Sequence, residues 1–344
     1  MHVRFWEHEE LVVRQGSRSG IALVVAVHSR VLGPATGGCR LRRYPDWHAA
    51  ADDALRLSQA MTYKCAAAGL PYGGAKSVIA LPERTPLTDE LREAILEDLG
   101  DLIDSFDGAY LAGPDVGTGP LDMVVIRRRT PHVYCLPESE GGTGSSSGPT
   151  AIGVLAALRA GAAAVLGSAE VAGRRIVVSG LGSVGGILAR TLAGSGAEVI
   201  VSDVDTRKRQ MAAELNLSWV EPEKALSTPA DIVVPAAVGG VLSPDTVARL
   251  DCALVVGPAN NQLTDDAVAD LLADRGIVWL PDFVVSAGGV IYTLSCEMDG
   301  LDHAGAVTRV EGIGETVARL LASSHVNRTT PLREAVALAE RRLG

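Results

Sequence analysis

Short apolar runs rich in β-branched residues alternate with segments of helical periodicity over the second half of the chain. Such runs predict buried strands, and a helix-like segment separates most of them from the next run. This alternation is typical of a doubly wound α/β domain with a parallel sheet. The predicted strands lie at residues 176–178, 199–201, 232–234, 254–256 and 277–280, with predicted helices at residues 244–250 and 265–275.

In the first half of the chain, the first clear segment is an apolar run at residues 21–28, bounded by Gly20 and Ser29, which predicts a strand. A helical pattern follows at residues 47–60. With 344 residues, 47% of them hydrophobic, the chain is long enough for two domains with separate cores. The Gly/Ser-rich stretch at residues 137–149 is the best candidate for a linker, and a hinge, between them.

A glycine-rich turn directly follows the predicted strand at residues 176–178. Gly180 permits a tight turn, Gly182 lets the backbone approach a pyrophosphate, and Gly185 lets the next helix pack against the sheet. Asp203 ends the following strand, about 20 residues on, where a carboxylate binds the ribose hydroxyls of NAD. The sequence therefore predicts a dinucleotide site. The other residues of this turn are Leu181, Ser183 and Val184.

Two alternatives to an NAD site stay open. An ordinary strand-to-helix turn also carries glycines, although here strand, turn, helix, strand and acid occur in the expected order. Arg207, Lys208 and Arg209 follow Asp203 and could bind a 2′-phosphate, which would favour NADP. A solvated basic face at a helix start is the more common role of such residues.

Lys64 and Lys76 lie among small and apolar residues, which is unusual because lysine is rarely buried without a partner. One such lysine can extend its amine to solvent, but two that flank a glycine-rich turn predict an anion site and a base. Asp115 lies in an apolar-flanked loop at residues 112–118, where a turn role is common, and only the lysines favour catalysis. Asn260 follows a predicted strand end, where ligands bind in α/β sheets, although it too can be a turn residue.

Composition narrows the function classes. A formal net charge of −10 argues against a nucleic-acid surface, which needs clustered lysine and arginine. Five scattered cysteines show no paired metal-ligand spacing, so we predict reduced thiols and no metal site. An acid at Glu7 argues against a secretory signal. The Ala-rich run at residues 151–166 carries Arg159, and by this criterion no stretch reaches the length and purity of a membrane span, so we expect a cytoplasmic protein.

The ordered set of motifs resembles the glutamate/leucine/phenylalanine/valine dehydrogenase family over nearly the whole chain. The segments that carry this resemblance are residues 33–38, 61–64, 73–76, 114–118, 180–185, 259–263 and 287–289. The resemblance implies an N-terminal α/β domain for substrate binding and oligomerisation, and a Rossmann-type NAD domain across a cleft. We place these at residues 1–136 and 150–325, with the hinge at 137–149. A C-terminal helix at residues 326–344 would pack near the cleft.

The reaction implied by the resemblance is the reversible NAD-dependent oxidative deamination of an L-amino acid to a 2-oxo acid and ammonia, in a homo-oligomer (a dimer or an octamer). Lys76 would be the catalytic lysine, Asp115 its proton-transfer partner, and Lys64 the ligand of the substrate carboxylate. A lysine that is desolvated beside another cation has a lowered pKa, and we expect Lys64 to be that cation for Lys76.

Further site residues follow from the same resemblance. Those implied to contact the substrate are Gly37, Gly38, Met61, Gly113, Pro114, Asn260, Val290 and Thr293. Those implied to contact NAD are Arg40, Asp115, Ser146, Thr150, the turn residues 180–185, Asp203, Ala237, Val238, Ala259 and Asn260.

The substrate side chain is expected to be apolar, because no additional arginine or lysine accompanies the motifs to bind a second carboxylate. Gly113 lies where phenylalanine-type members carry glycine and leucine-type members alanine, so it would make room for an aromatic ring. Phenylalanine is therefore favoured. Thr293 lies where an apolar pocket residue is expected, which leaves leucine, valine or another large amino acid such as tryptophan open.

Three positions depart from the family pattern: Ala75, Ala236 and Ser286 stand in place of glycine, cysteine and asparagine. None of them removes a catalytic group. A dehydrogenase of hydroxy acids is less favoured, because no histidine lies beside the motifs. A protein that senses NAD without turnover is the alternative from another class, and the presence of Lys64, Lys76 and Asp115 together argues against it.

Overall fold

The computed structural model describes residues 7–344. The chain groups into two compact units. The first contains the chain up to Ser145 together with Thr293–Leu301 and Leu338–Gly344, and the second contains Ser146–Tyr292 and Asp302–Ala337. The domain boundaries drawn from the sequence stay predictions. The first six residues, part of the segment considered as a secretory signal, lie outside the described residues.

Within residues 7–344, the first unit has a five-stranded mixed sheet with the strand order β1-β2-β4-β3-β5. The pairs β1–β2 and β2–β4 are antiparallel, whereas β3 is parallel to both β4 and β5. The elements are β1 (Glu10–Gln15), β2 (Ala22–Ser29), β3 (Ala35–Tyr44), α1 (Trp47–Ala68), β4 (Gly73–Pro82), α2 (Asp89–Asp104), β5 (Tyr110–Pro114) and α3 (Pro120–Arg127).

Helix α1 covers one face of this sheet. Asp46 caps its N-terminus by accepting a hydrogen bond from the amide of Ala49, and Gly69 ends it in a left-handed conformation. Its buried alanines, Ala50, Ala51 and Ala54, let the helix pack on even-numbered strand residues such as Val78. Leucines and isoleucines of α2 cover the opposite face.

The second unit has, within the described residues, a six-stranded parallel sheet with the order β11-β10-β9-β6-β7-β8. This confirms the predicted doubly wound fold. The elements that lie wholly in this unit are α4 (Ser147–Leu166), β6 (Arg175–Ser179), α5 (Ser183–Gly194), β7 (Glu198–Ser202), α6 (Lys208–Glu214), β8 (Ser218–Trp219), α7 (Pro222–Ala225), β9 (Ile232–Pro235), α8 (Pro244–Val247), β10 (Leu254–Val255), α9 (Ala267–Asp274), β11 (Val278–Trp279), α10 (Asp282–Val285), α12 (His303–Glu311) and α13 (Ile313–Asn327). The residues of α11 (Gly288–Glu297) and α14 (Pro331–Leu343) are divided between the two units.

Local predictions need correction at three places. The glycines 73–74 lie inside β4, so the turn between Lys64 and Lys76 ends before them; Gly37 and Gly38 lie inside strand β3. The helix predicted at residues 47–60 continues to Ala68, because alanines and long side chains sustain it up to Gly69. The stretch predicted as a linker at residues 137–149 is not all loop: a short 3₁₀ turn spans Glu138–Glu140, and its last residues already belong to α4, while its role as a hinge stays a prediction.

Helix α4 also corrects the statement that no stretch is long and apolar enough for a membrane span. Among the described residues, Ser147–Leu166 satisfies that test by length and composition. The helix packs inside the second unit, however. Added methyl groups at Gly153 and Gly161 would meet Ile313 and Leu254 at 2.7 and 3.0 Å. The helix therefore has the contacts of a core helix.

Candidate functional site

Three charged side chains meet at neighbouring strands of the first unit. Lys76 lies on β4, Arg40 on β3, and Asp115 directly follows β5, so the strand order places them side by side. Lys76 Nζ lies 3.0 Å from Asp115 Oδ2, and Arg40 Nε lies 2.7 Å from the same oxygen. Lys76 and Asp115, both predicted from the sequence, therefore form an ion pair.

This cluster is largely removed from solvent. Lys76 is 5% exposed, and the side chain of Asp115 is 22% exposed. Burial lowers the pKa of Lys76, Asp115 opposes this effect, and the positive charge of Arg40 adds to it. Burial alone would raise the pKa of Asp115, but Lys76 and Arg40 hold it below its ordinary value. The pair thus combines a lysine that loses its proton more readily with a stable carboxylate.

Arg40 is a cation that lowers the pKa of Lys76 and shares its partner oxygen on Asp115. The same effect of Lys64, expected from the sequence, stays a prediction. Lys64 and Met61 lie in the C-terminal third of α1 and are both half-buried. The part that Lys64 takes in substrate binding stays a prediction.

Glycines at 37 and 38 keep the strands close at this point. A methyl group on Gly37 would approach the carbonyl oxygen of Ala75 to 1.7 Å, so β3 and β4 tolerate no side chain there. On Gly38 it would lie 2.7 Å from Cβ of Asp115 and 3.2 Å from Nζ of Lys76. Gly38 therefore directly borders the charged pair, and its contact with substrate stays a prediction.

The loop after β5 is held by Thr118. The backbone amide of Asp115 donates to Thr118 Oγ1 at 3.0 Å, and this hydroxyl donates to the carbonyl of Cys39 at 2.7 Å. These bonds fix the backbone of Asp115 against β3. Sequence analysis quoted Thr118 only as part of a motif, and a threonine three residues after an aspartate is the signal of such a turn.

Gly113 has a different environment from the one predicted. A methyl group on Gly113 would lie 2.5, 2.6 and 2.9 Å from Cε2, Cζ and the hydroxyl oxygen of Tyr134. That tyrosine is 6% exposed, and Thr36 donates a hydrogen bond to its hydroxyl at 3.0 Å. The room left by Gly113 is thus filled by the chain's own aromatic ring, and the argument from Gly113 to an aromatic substrate loses its geometric basis.

Two other predicted substrate residues of the first unit are Pro114 and Thr293. Pro114 ends β5 and is half-buried. Thr293 is 1% exposed, and Thr143 Oγ1 donates to its hydroxyl at 3.3 Å. The same Thr143, together with the amide of Cys135, donates to the carboxylate of Glu297. Thr293 is therefore a buried, hydrogen-bonded residue whose contact with substrate stays a prediction.

In the second unit the glycine-rich turn has the geometry expected of a dinucleotide site. Gly180 has a φ of 114°, which favours glycine. A methyl group on Gly185 would lie 2.0 Å from the carbonyl oxygen of Gly180, whereas one on Gly182 would meet nothing within 4 Å. Helix α5 begins at Ser183, so its first turn, including Val184, follows this open position.

Asp203 directly follows β7 and is tied to the turn. Its two oxygens accept hydrogen bonds from the amides of Leu181 and Asp205 at 2.7 and 2.8 Å. Arg207 is exposed and forms an ion pair with Asp205, and Arg209 pairs with Glu221. These two pairs agree with a solvated basic face. The turn and Asp203 together fit the pyrophosphate and ribose of a dinucleotide.

The remaining predicted residues of the second unit occupy the carboxyl ends of strands or the start of α4. Ala237 and Val238 follow β9, and Ala259 and Asn260 follow β10. Asn260 Oδ1 accepts a hydrogen bond from Ser286 at 3.3 Å. Ser146 and Thr150 lie at the start of α4, where a methyl group on Gly289 would touch both; the adjacent Val290 is in α11.

Comparison with known proteins decides the family. The family described as "Glu/Leu/Phe/Val dehydrogenase, dimerisation domain" matches residues 8–132, and "Glutamate/Leucine/Phenylalanine/Valine dehydrogenase" matches residues 200–300. The leucine dehydrogenase of Bacillus cereus is 37% identical over 339 residues, which cover 98% of this chain and 91% of that protein. The chain belongs to the Glu/Leu/Phe/Val dehydrogenase family.

Other relatives of this chain are named for different amino acids. The phenylalanine dehydrogenase of Caldalkalibacillus thermarum is 35% identical over 343 residues, which cover 98% of this chain and 91% of that protein. The crystal structure of L-tryptophan dehydrogenase from Nostoc punctiforme is 33% identical, with a TM-score of 0.83 and coverage of 98% and 96% of the two chains. The "D-isomer specific 2-hydroxyacid dehydrogenase, NAD binding domain" matches residues 155–240 only, the region around the nucleotide turn.

Family membership confirms the predicted enzyme class, an amino-acid dehydrogenase with an NAD-binding domain. The roles assigned to individual residues stay predictions.

Sequence analysis missed three residues around this site of the dehydrogenase: Asp53, which pairs with Arg40, Tyr44, which donates to Asp53, and Tyr134, which lies against Gly113. Asp53 of α1 was detectable, because it lies three residues after Ala50 and four before Leu57, on the helix face that packs against the sheet. An acid on an otherwise apolar face is a signal for a buried partner. Tyr134 had no comparable signal.

Proposed function

We propose that this protein catalyses the NAD-dependent, reversible oxidative deamination of an apolar L-amino acid to its 2-oxo acid and ammonia. The observation that carries the proposal is the buried ion pair between Lys76 and Asp115 with Arg40 on the same oxygen. Family membership and the open nucleotide turn support it.

Each charged residue has a part in this reaction. NAD, held by the nucleotide turn and Asp203, would supply the acceptor for the hydride of the substrate Cα. Lys64 pairs with the substrate carboxylate. Lys76, with its lowered pKa, takes a proton from the water that attacks the resulting iminium carbon. Asp115, which is ionised before the substrate binds, takes a proton from the substrate ammonium group and returns it to the amine that leaves as ammonia.

The substrate side chain is apolar in this proposal, but its size is open between branched aliphatic and aromatic groups. Phenylalanine was favoured through Gly113, and Tyr134 fills the space on which that argument depended. Relatives named for leucine and for phenylalanine match this chain at 37% and 35% identity, which does not favour either substrate. The preference is therefore a question for a substrate panel.

NAD is proposed over NADP because Asp203 follows β7 at the ribose position, where a carboxylate repels a 2′-phosphate. A homo-oligomer is also proposed, since the matching family at residues 8–132 is described as a dimerisation domain. Light scattering coupled to gel filtration tests the oligomer. A cytoplasmic location agrees with five free cysteines among the described residues.

The proposed function is tested by NADH formation with a panel of L-amino acids at alkaline pH, repeated with NADP. We expect turnover of apolar amino acids, little with glutamate, and a preference for NAD. Absence of turnover with every amino acid, together with measurable NAD binding, would contradict the proposal and favour a sensor.

A further inference from the structure

Arg40 lies between two carboxylates that come from different elements. Its Nε donates to Asp115 Oδ2 at 2.7 Å, and its Nη1 donates to Asp53 Oδ2 at 3.1 Å. The side chains of Arg40 and Asp53 are only 15% and 13% exposed. A guanidinium is planar, so two contacts at two of its nitrogens fix its orientation as well as its position.

Asp53 is itself held on both oxygens. The hydroxyl of Tyr44 donates to Oδ2 at 2.6 Å, and Arg56 donates to Oδ1 at 2.7 Å. Helix α1 therefore presents a rigid anion to Arg40. The side chain of Arg56 is 54% exposed, so the contact that Tyr44 makes from the buried side has the larger effect.

The position of Arg40 determines how the two carboxylate oxygens of Asp115 are used. Arg40 and Lys76 both bind Oδ2, and within residues 7–344 no hydrogen bond to Oδ1 is found. With Oδ2 saturated by two cations, Oδ1 is the oxygen left to exchange a proton with the substrate amine. The direction of Oδ1 depends on Arg40 remaining where it is.

We propose that Asp53 is a positioning residue for the reaction: it holds Arg40 against Asp115 and thereby fixes which carboxylate oxygen faces the substrate. This inference rests on the proposed function. Asp53 touches neither Lys76 nor Asp115, so its influence on the reaction passes through Arg40.

The test uses the full-length enzyme and the substitutions Asp53→Asn and Tyr44→Phe. Asn keeps the shape of the side chain but removes the charge that holds Arg40. For Asp53→Asn we expect kcat to fall by roughly 10- to 100-fold, since small displacements of reacting groups have effects of this size. The KM value for the amino acid should change less than about threefold, because Asp53 does not bind the substrate in this proposal. Tyr44→Phe should lower kcat by a few-fold.

A double substitution separates this role from a general loss of packing. In an Arg40→Ala background, Asp53→Asn should produce no further loss of kcat, because the residue through which it acts is already gone. Equal losses in both backgrounds would overturn the proposal, and so would a wild-type kcat in Asp53→Asn alone.

Asp101→Asn is the matched control. Asp101 also binds two arginines of the first unit, Arg18 and Arg129, each at 2.7 Å, but it lies on α2, which packs on the opposite face of the sheet. Its kcat should stay within about twofold of the parent, as expected for an exposed ion pair.

A crystal structure of Asp53→Asn gives a readout that does not depend on turnover. We expect Arg40 Nε to leave Asp115 Oδ2 and the carboxylate to rotate. If the parent enzyme turns over no amino acid, the proposed function fails, and the crystal structure still decides whether Asp53 positions Arg40. An unmoved Arg40 would overturn the inference.

Discussion

The contact between Gly113 and Tyr134 makes a quantitative prediction for Gly113→Ala. The new methyl group would lie 2.5–2.9 Å from three atoms of a ring that is buried and hydrogen-bonded to Thr36. Because the ring is buried and its hydroxyl is hydrogen-bonded, the substitution overpacks the site and should cost about 1–3 kcal/mol in the free energy of unfolding. Each kcal/mol corresponds to a fall in Tm of roughly 2–4 °C for a domain of this size class.

The cause can be separated from a general intolerance of alanine by changing Tyr134. Tyr134→Leu removes all three atoms that the methyl group would meet. In this background Gly113→Ala should leave the free energy of unfolding nearly unchanged. The coupling free energy between the two substitutions should therefore be about 1–3 kcal/mol. Gly119→Ala is the control, because a methyl group there meets nothing within 4 Å and the backbone is extended, with φ at −150°.

Thermal and denaturant unfolding of four proteins measures this coupling: the parent, Gly113→Ala, Tyr134→Leu and the double variant. Equal costs of Gly113→Ala in both backgrounds would refute the argument that Tyr134 fills the site. The same proteins report on specificity. If the ring limits the substrate, Tyr134→Leu should raise kcat/KM for larger side chains relative to leucine.

Three further predictions follow from the charged residues. Lys76→Ala should lower kcat at least about 10³-fold while NADH binding, measured by fluorescence titration, changes little; retained turnover would remove Lys76 from the mechanism. Burial alone would raise the pKa of Asp98, but hydrogen bonds from Ser19 and Arg18 outweigh this effect and lower the pKa. The carboxylate therefore stabilises the folded protein above the pKa of an unfolded aspartate, about 3.9. This stabilisation is lost as the pH falls through the lower pKa of the folded state. Asp98→Asn should thus lower Tm at neutral pH, with a difference that shrinks in acid, and a pH-independent difference would contradict this. Arg342 donates to the carbonyls of the last turn of α1, so Arg342→Ala should speed amide hydrogen exchange at residues 64–68 without affecting α2.

The second unit could be predicted well from the sequence, because the local patterns of its segments agree with the fold that these segments form together. Each apolar run is a buried parallel strand, and the glycines of the nucleotide turn have fixed roles that follow from backbone geometry alone. Two predicted strands are shorter in the structure: residues 254–256 reduce to Leu254–Val255, and residues 277–280 to Val278–Trp279.

The first unit was harder to predict, because long-range packing decides its details. Gly37 and Gly38 look like a turn in sequence, and only the approach of β4 and Asp115 shows that they belong to a strand without room for side chains. The resemblance identified Lys76 and Asp115 but could not show that Arg40 joins them or that Tyr134 fills the space at Gly113. Both depend on residues distant along the chain.

The measurement that most directly tests this account is the stoichiometry of products from an apolar L-amino acid and NAD. Reversible oxidative deamination predicts equal amounts of NADH, 2-oxo acid and ammonia from the parent enzyme, and none from Lys76→Ala. NADH formation without ammonia, or equal formation by Lys76→Ala, would contradict the assignment of this chemistry to the pair of Lys76 and Asp115.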